Sequence, residues 1–395
     1  MPSHPREAPS EGASSTMATH PPAQSASRPF ILFSTGATSY ELVRYLGSRA
    51  GGELLLARRH YARTPGGLVL IKRLRDVGDD VGRARLREEV KLLMRLSHPA
   101  IAPVYLVRVH DGAPHLVMEY VDGPCLETLS SFAALRRRPF SEAFAAYVGA
   151  EVADALHHAH ALEDARGFPV GVVHRDVSPR SVRVDVHGRV RISDFALAWS
   201  RLPGRVVTEP GLVRGDVAYA SPEALEGQPL DGRADLFSLG MVLLELLTGL
   251  HLLDLEDVER AAQQAVPLPG AQGLCAETPS WLPAPLMAAR MACLSPVHVE
   301  HATRGLSEGM RAVLQRLLRR ERDARFQTGA ELRDALRDVM GAAGRPYGPP
   351  EALREVAEVR TDALVGPAGD AEAGLPLEDE VWSDDDDDGG GADWT

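Results

Sequence analysis

The sequence predicts an α+β protein in two unequal parts, a small strand-rich part followed by a larger, mainly helical one. Three observations carry this. Runs of strand-like composition fall before residue 122, from Tyr40 onward, in Leu68–Lys72 and in His115–Val121. After Asp122-Gly123 the apolar spacing becomes helical, most clearly in Ser141–Ala161 and Leu236–Thr248. Within the helical part, Val172–Ala198 holds two short β-rich runs, Val182–Val186 and Arg189–Ser193, joined by a His-Gly turn. Asp176 stands before the first run and Asp194 after the second. Two carboxylates held a fixed distance apart suit phosphoryl transfer: one accepts a proton from a hydroxyl, the other holds Mg²⁺ on a triphosphate.

Taken in order, the chain opens with Met1–Arg28, rich in Pro, Ser and Ala and without apolar periodicity, which is expected to be disordered. Leu46–Ala57, LGSRAGGELLLA, lies between two strand-like runs. Taken alone it reads as an ordinary hairpin. Leu68–Lys72 is an apolar strand ending in a lysine, and Gly82–Leu96 is a helix with Leu86, Val90, Leu93 and Met94 at helical spacing and Glu89 on it. His115–Val121 reads as a buried strand. Ser141–Ala161 is a long amphipathic helix whose His157, His158 and His160 raise a metal hypothesis, but no further ligand has a compelling spacing, so structural histidines are expected. Leu236–Leu253 is the most apolar run; Glu245, Gly240 and Gly249 within it favour a buried core helix over a membrane span.

Composition excludes several classes. The net charge of −12 argues against a general nucleic-acid binder. That charge is concentrated: Glu351–Thr395 carries fifteen Asp and Glu against two Arg, leaving the remainder near neutral. Three scattered cysteines form neither a disulfide framework nor a zinc spacing. With no signal peptide visible, a cytoplasmic setting is expected. Residues 342–395, ending in Asp384–Asp388 and Trp394, are expected to form a disordered acidic tail that is either simply solvated, binds a partner, or folds onto a basic face in cis such as Arg136–Arg138.

His174-Arg175-Asp176 and Asp194-Phe195 resemble the HRD and DFG motifs of the bacterial eukaryotic-like (Hanks-type) serine/threonine protein kinase family, at the spacing that family uses. The resemblance extends from about Tyr40 to Gly341. It implies a two-lobed protein-kinase fold: a five-stranded antiparallel N-lobe with helix C over residues 40–121, and a mainly helical C-lobe over 122–341. It implies ATP and Mg²⁺ as cofactors and protein hydroxyls as acceptors. Asp176 and its neighbour Arg175, with Lys72 and Glu89, would be the catalytic group, the lysine–glutamate pair holding the α- and β-phosphates. Leu46, Gly47, Gly52, Leu54, Leu70, Lys72, Glu119 and Val121 would line the nucleotide site, with Met118 as gatekeeper. Asp194 and Ser181 would face the metal. Ala220-Ser221-Pro222-Glu223 resembles the APE motif, Asp235 the helix-F aspartate, and Arg325 the arginine that pairs with Glu223. Arg175 would pair with a phosphate on Thr208, or on Ser200 as second choice.

The chain departs from the family pattern at informative places. Arg49 stands at the second glycine and Leu70 where the family has a small alanine. Ser178 and Ser181 replace the lysine and asparagine of the catalytic loop, Ala196 the DFG glycine, and Asp216 a threonine that touches the catalytic aspartate. Ser178 supplies no charge to a transferred phosphate, Ser181 is expected to reach the metal only through water, and the Asp216 carboxylate is expected to repel the γ-phosphate. Loss of one such contact costs on the order of 10²–10³-fold in rate. The expectation is therefore a serine/threonine kinase of weakened activity, with a pseudokinase scaffold as the alternative.

Overall fold

A computed structural model describes residues 30–49, 52–62, 64–74, 80–202, 212–265, 274–276, 282–342 and 344–365. The N-lobe is one antiparallel sheet built from β1 (Ile31–Thr35), β2 (Thr38–Arg49), β3 (Gly52–Tyr61), β4 (Thr64–Leu74), β5 (Val104–His110) and β6 (Ala113–Glu119), in the order β1-β2-β3-β4-β6-β5. Helix α1 (Asp80–Leu93) lies between β4 and β5 in sequence. Strand register fixes what each face does. Leu54, Lys72 and Leu116 stand opposite one another across β3, β4 and β6, and so do Leu56, Leu70 and Met118. Opposed residues share a face and alternate residues return to it, so all six side chains line the same side. The other side carries Leu55, Ala57, Val69, Ile71 and Val117, which close into a compact cluster with Leu32, Phe33 and Tyr40.

That cluster explains the first difference from the sequence expectation. The sheet has six strands rather than five, because Ile31–Thr35 adds an edge strand whose Leu32 and Phe33 help cover the outer face.

The C-lobe runs through α2 (Leu126–Leu135), α3 (Glu142–His160), the hairpin β7 (Val182–Val184) and β8 (Val190–Ile192), β9 (Leu212–Val213), α4 (Pro222–Leu225), α5 (Gly232–Thr248), α6 (Glu256–Gln264), β10 (Cys275–Ala276), α7 (Ala284–Cys293), α8 (Pro296–Ala302), α9 (Glu308–Leu317), α10 (Gly329–Ala342) and α11 (Pro349–Val365). Helix α5 is apolar on every side and is wrapped accordingly, with residues from Ala234 to Leu244 continuously buried. It is the central rod against which α3 and α9 pack. Asp231 caps its start by accepting the Arg233 amide, and Gly249 ends it in the left-handed conformation. No helix among the described residues is long and apolar enough to cross a membrane.

The second difference is α11, which falls where a disordered tail was expected. Ala352, Val356 and Val359 recur at helical spacing and are buried in the main core. Glu355 accepts hydrogen bonds from the Ser141 amide and hydroxyl, both at 2.7 Å, and from Tyr347 Oη at 2.7 Å, tying α11 to the start of α3. Asp362 pairs with Arg136 at 3.5 Å, at the end of α2. Burial of a short apolar stripe outweighs the acidic composition of this segment. The acidic run Asp384–Asp388 lies outside the described residues.

Candidate active site

Lys72 projects from β4 toward α1, where Glu89 meets it with Nζ–Oε2 at 2.8 Å. Both side chains are almost fully buried. Burial pushes the Glu89 carboxyl above its usual range; Lys72 pulls it back, and the nearby Asp194 charge pushes it up again. Asp194 therefore stands within electrostatic reach of the pair. Gly52 lies against the lysine stem: a Cβ there would sit 3.1 Å from Lys72 Cε and 3.2 Å from the Arg73 carbonyl. A side chain at this position would press directly on the lysine. Gly47 sits at a β-bulge with φ +103°.

The loop carrying Asp176 is held from beneath by α5. Asp235, buried at the start of that helix, accepts the amides of His174 (2.8 Å) and Arg175 (2.9 Å) and the His160 Nε2 proton (2.8 Å). Burial alone would raise the Asp235 pKa, but the bond and charge of His160 and the influence of His174 bring it below its ordinary value. The carboxylate thus stays ionised as the anchor of the loop. His174 continues the framework, donating from Nε2 to the Ser193 carbonyl (3.0 Å) and packing edge-on against Phe195 at 4.5 Å. Its Nδ1 accepts the Asp176 amide at 3.2 Å. Arg175 and Asp194 both adopt left-handed backbone conformations, φ +68° and +75°. Non-glycine residues there cost on the order of 1–3 kcal/mol and persist only where surrounding contacts enforce them.

Asp176 itself is fixed from the far side. The Asp216 amide donates to Asp176 Oδ1 at 2.9 Å, and Gly215 approaches the Arg175 carbonyl so closely, at φ +86°, that a Cβ would collide with it. The orientation of Asp216 corrects one expectation. Its amide faces Asp176, while its own Oδ1 accepts the Ala218 amide at 3.1 Å. Burial raises the Asp216 carboxyl pKa, and the Asp176 charge adds to this, so repulsion toward a phosphate is weaker than the sequence alone implies.

Ser181 is the second correction. Its hydroxyl donates to the Ser178 carbonyl (3.0 Å) and accepts the Ser178 amide (3.1 Å), with 1% of the residue exposed. It closes the loop on itself instead of facing outward. Ser178 is buried as well. The side-chain chemistry that fits a divalent cation is a carboxylate presented beside the Lys72–Glu89 pair, which is Asp194.

The remaining nucleotide-site candidates fall on β2, β3, β4, β6 and the segment that follows β6. Leu54, Leu70 and Met118 share the sheet face that carries Lys72. Glu119 donates its amide to the Pro103 carbonyl (3.0 Å) and its carboxylate faces Arg191 at 3.4 Å, while Val121 is buried. Leu46 is partly buried on β2. Thr208 lies outside the described residues; Ser200 lies within them, its hydroxyl accepting the Leu202 amide at 3.4 Å.

Residues outside the catalytic motifs, some of them left without a role by the sequence, complete the frame. His160, noted only as one of three histidines, is the partner of Asp235. The three diverge: His158 Nε2 accepts the Ser97 amide at 3.3 Å, and no group of three metal-ligating side chains occurs among the described residues. Arg325 and Glu223 form the expected buried pair, with two bonds of 2.7 and 2.9 Å. Arg180, beside the catalytic loop, pairs with Glu127 at 2.8 Å. Tyr219 Oη donates to Glu245 at 2.6 Å and links the segment after Asp216 to α5.

Comparison with known proteins adds an independent line. The profile of the protein kinase domain matches residues 40–335. The chain is 34% identical over 214 residues to the tyrosine-protein kinase MasK of Myxococcus xanthus, covering 53% of this chain and 32% of MasK. It is 38% identical over 216 residues to the serine/threonine-protein kinase PknJ of Mycobacterium tuberculosis, covering 53% and 34%. It is 31% identical over 337 residues to the serine/threonine-protein kinase PknB of the same species, covering 84% of this chain and 47% of PknB. The chain thus spans about a third to a half of the length of the curated relatives it matches. The crystal structure of the M. tuberculosis PknI kinase domain aligns with a TM-score of 0.47 at 24% identity, over 76% of this chain and 95% of that one.

Proposed function

Because the chain belongs to the protein kinase domain family, we propose that it transfers the γ-phosphate of ATP to serine or threonine hydroxyls of proteins, in the cytoplasm, at a reduced rate. The observation that carries this is the intact pair of Lys72 and Glu89 with Asp194 within electrostatic reach of it, together with an Asp176 pinned by the Asp216 amide. Lys72 positions the nucleotide phosphates, and Glu89 keeps the ammonium in place. Asp176 accepts the hydroxyl proton of the acceptor as the phosphoryl group moves. Asp194 would hold Mg²⁺, which when bound would supply positive charge beside the nucleotide phosphates. The network of Asp235, His160 and His174 fixes the loop so that Asp176 meets the acceptor without reorganising, which is the form of catalysis that depends most on geometry. What is missing is cationic charge at Ser178, and this supports a slow enzyme.

A second reading, a pseudokinase acting as a scaffold, is favoured by the same two loop serines. Titrating ATP with and without Mg²⁺ by calorimetry, beside a phosphotransfer assay on serine, threonine and tyrosine acceptors, separates the two. The kinase reading expects Mg²⁺-dependent binding and phosphoserine or phosphothreonine product; binding without any turnover supports the scaffold. Phosphotyrosine as the main product would overturn the acceptor assignment.

A further inference from the structure

The loop serines change how many metal ions the site can hold. A cation-binding oxygen must present a lone pair to an open position and hold it there. The Ser181 hydroxyl has one proton and two lone pairs. The proton goes to the Ser178 carbonyl at 3.0 Å and one lone pair takes the Ser178 amide at 3.1 Å. The remaining lone pair belongs to a residue with 1% of its surface exposed, so a hydrated ion cannot approach it. The backbone is pinned too, because the Ser193 amide donates to the Ser181 carbonyl at 2.9 Å. Turning the hydroxyl outward would strand the buried Ser178 amide, at a desolvation penalty of about 1–3 kcal/mol, and leave the Ser178 carbonyl only the Ser181 amide at 3.1 Å. A neutral hydroxyl on Mg²⁺ offers little to offset that, since Mg²⁺ is content with water. Asp194 is different: it is a carboxylate, held in a left-handed conformation at the end of the β8 strand, beside the buried Lys72–Glu89 pair.

We infer that this site takes one protein-held divalent cation per bound nucleotide, on Asp194, and that Ser181 is a loop-closing residue with no metal role. The inference rests on the nucleotide-site reading given above. It assigns the reduced charge around the transferred phosphate to two causes, an absent lysine at Ser178 and an absent second ion at Ser181.

The experiment uses the full chain saturated with a non-hydrolysable ATP analogue, with nucleotide binding first established by calorimetry. Mn²⁺ is then titrated and free ion is read by electron paramagnetic resonance. The expected result is one bound Mn²⁺ per nucleotide-loaded protein, a change of less than about threefold in its affinity in Ser181→Ala, and a loss of at least tenfold in Asp194→Asn. Two bound ions in the parent, or a tenfold loss in Ser181→Ala, would overturn the inference while leaving the kinase reading standing. Nucleotide binding with no protein-dependent Mn²⁺ at all overturns the inference as well. Absence of nucleotide binding in the calorimeter overturns the site reading beneath it. The stoichiometry of the parent decides the matter even if a variant fails to fold.

Discussion

Replacing Lys72 by methionine tests the site and its energetics together. The substitution removes the charge while keeping much of the stem. In the parent, the side chains of Lys72 and Glu89 are 6% and 5% exposed, with 2.8 Å between Nζ and Oε2. Removing one partner of a buried pair costs about 3–5 kcal/mol, because the other charge is left uncompensated. Glu89 has one way to relieve that: it can take up a proton. Burial already pushes its carboxyl upward from 4.5, and Lys72 is the largest influence pulling it down. Without Lys72 the folded pKa rises further. A carboxyl with a raised folded pKa favours the fold below its unfolded value and loses that contribution as pH rises through the folded value. The variant should therefore lie closest to the parent in acid and furthest from it in base. Urea unfolding at pH 5, 6.5 and 8 measures this, beside a radiolabelled phosphotransfer assay near neutrality. The deficit should be about 3 kcal/mol or more at pH 8 and smaller by at least about 1.4 kcal/mol at pH 5, the equivalent of one pKa unit. Phosphotransfer should vanish with the fold intact. A deficit that does not change with pH, or a variant that transfers phosphate as well as the parent, refutes the reasoning.

Four other outcomes are expected. Arg325→Met strands Glu223 and the carbonyls of Arg319 and Arg320 that the guanidinium now serves; thermal unfolding should show a loss of about 3–5 kcal/mol, or roughly 6–15 °C. Glu355→Ala frees the start of α3 from α11 and should cost about 1–2 kcal/mol by denaturant titration, with faster amide exchange confined to α11 and the Ser141 region. His251 is partly buried and neutral, its pKa lowered from 6.5 to about 4 by desolvation; its contribution is fully present above pH 6.5 and falls by up to about 3 kcal/mol as pH drops toward 4, a slope that His251→Asn should flatten in pH-dependent melts. Ser178→Lys combined with Ser181→Asn and Asp216→Thr should raise turnover at least about tenfold, roughly 1.4 kcal/mol of barrier, with a smaller gain in nucleotide affinity; no gain in a steady-state assay sinks the charge-deficit account.

The legible parts of this protein were those where a few residues carry the whole signal. Asp176, Asp194, Lys72 and Glu89 stand in short motifs, and α3 and α5 follow from apolar spacing over nearly twenty residues. The missed parts depend on a partner that is distant in the chain. Ile31–Thr35 is too short to declare itself beside a Pro/Ser/Ala tract; it becomes a strand because Leu32 and Phe33 cover Leu55, Val69 and Ile71. In α11 the spacing of Ala352, Val356 and Val359 was present, but it was outvoted by acidic composition, which reports solvation and says nothing of a three-residue stripe finding α2 and α3. At Asp216 and Ser181 the residue type was visible and its direction was not. A side chain's chemistry toward a ligand depends on which hydrogen bonds it has already made, and these two are turned to Ala218 and Ser178.

That distinction bears on what the two loop serines change. The supports of Asp176 come from Asp235, His174 and the Gly215–Asp216 backbone, and none of them involves Ser178, the residue that replaces a cation. Ser181 even contributes to loop closure. The loop is thus anchored without a cation at Ser178. Shape and charge contribute differently: positioning acts on every encounter, whereas a preorganised cation acts only as negative charge develops on the phosphoryl oxygens. Arg175 and Asp194 hold left-handed backbone conformations against the cost of that strain, and together with the buried Lys72–Glu89 pair they are the physical support for the proposal that the site handles a phosphate.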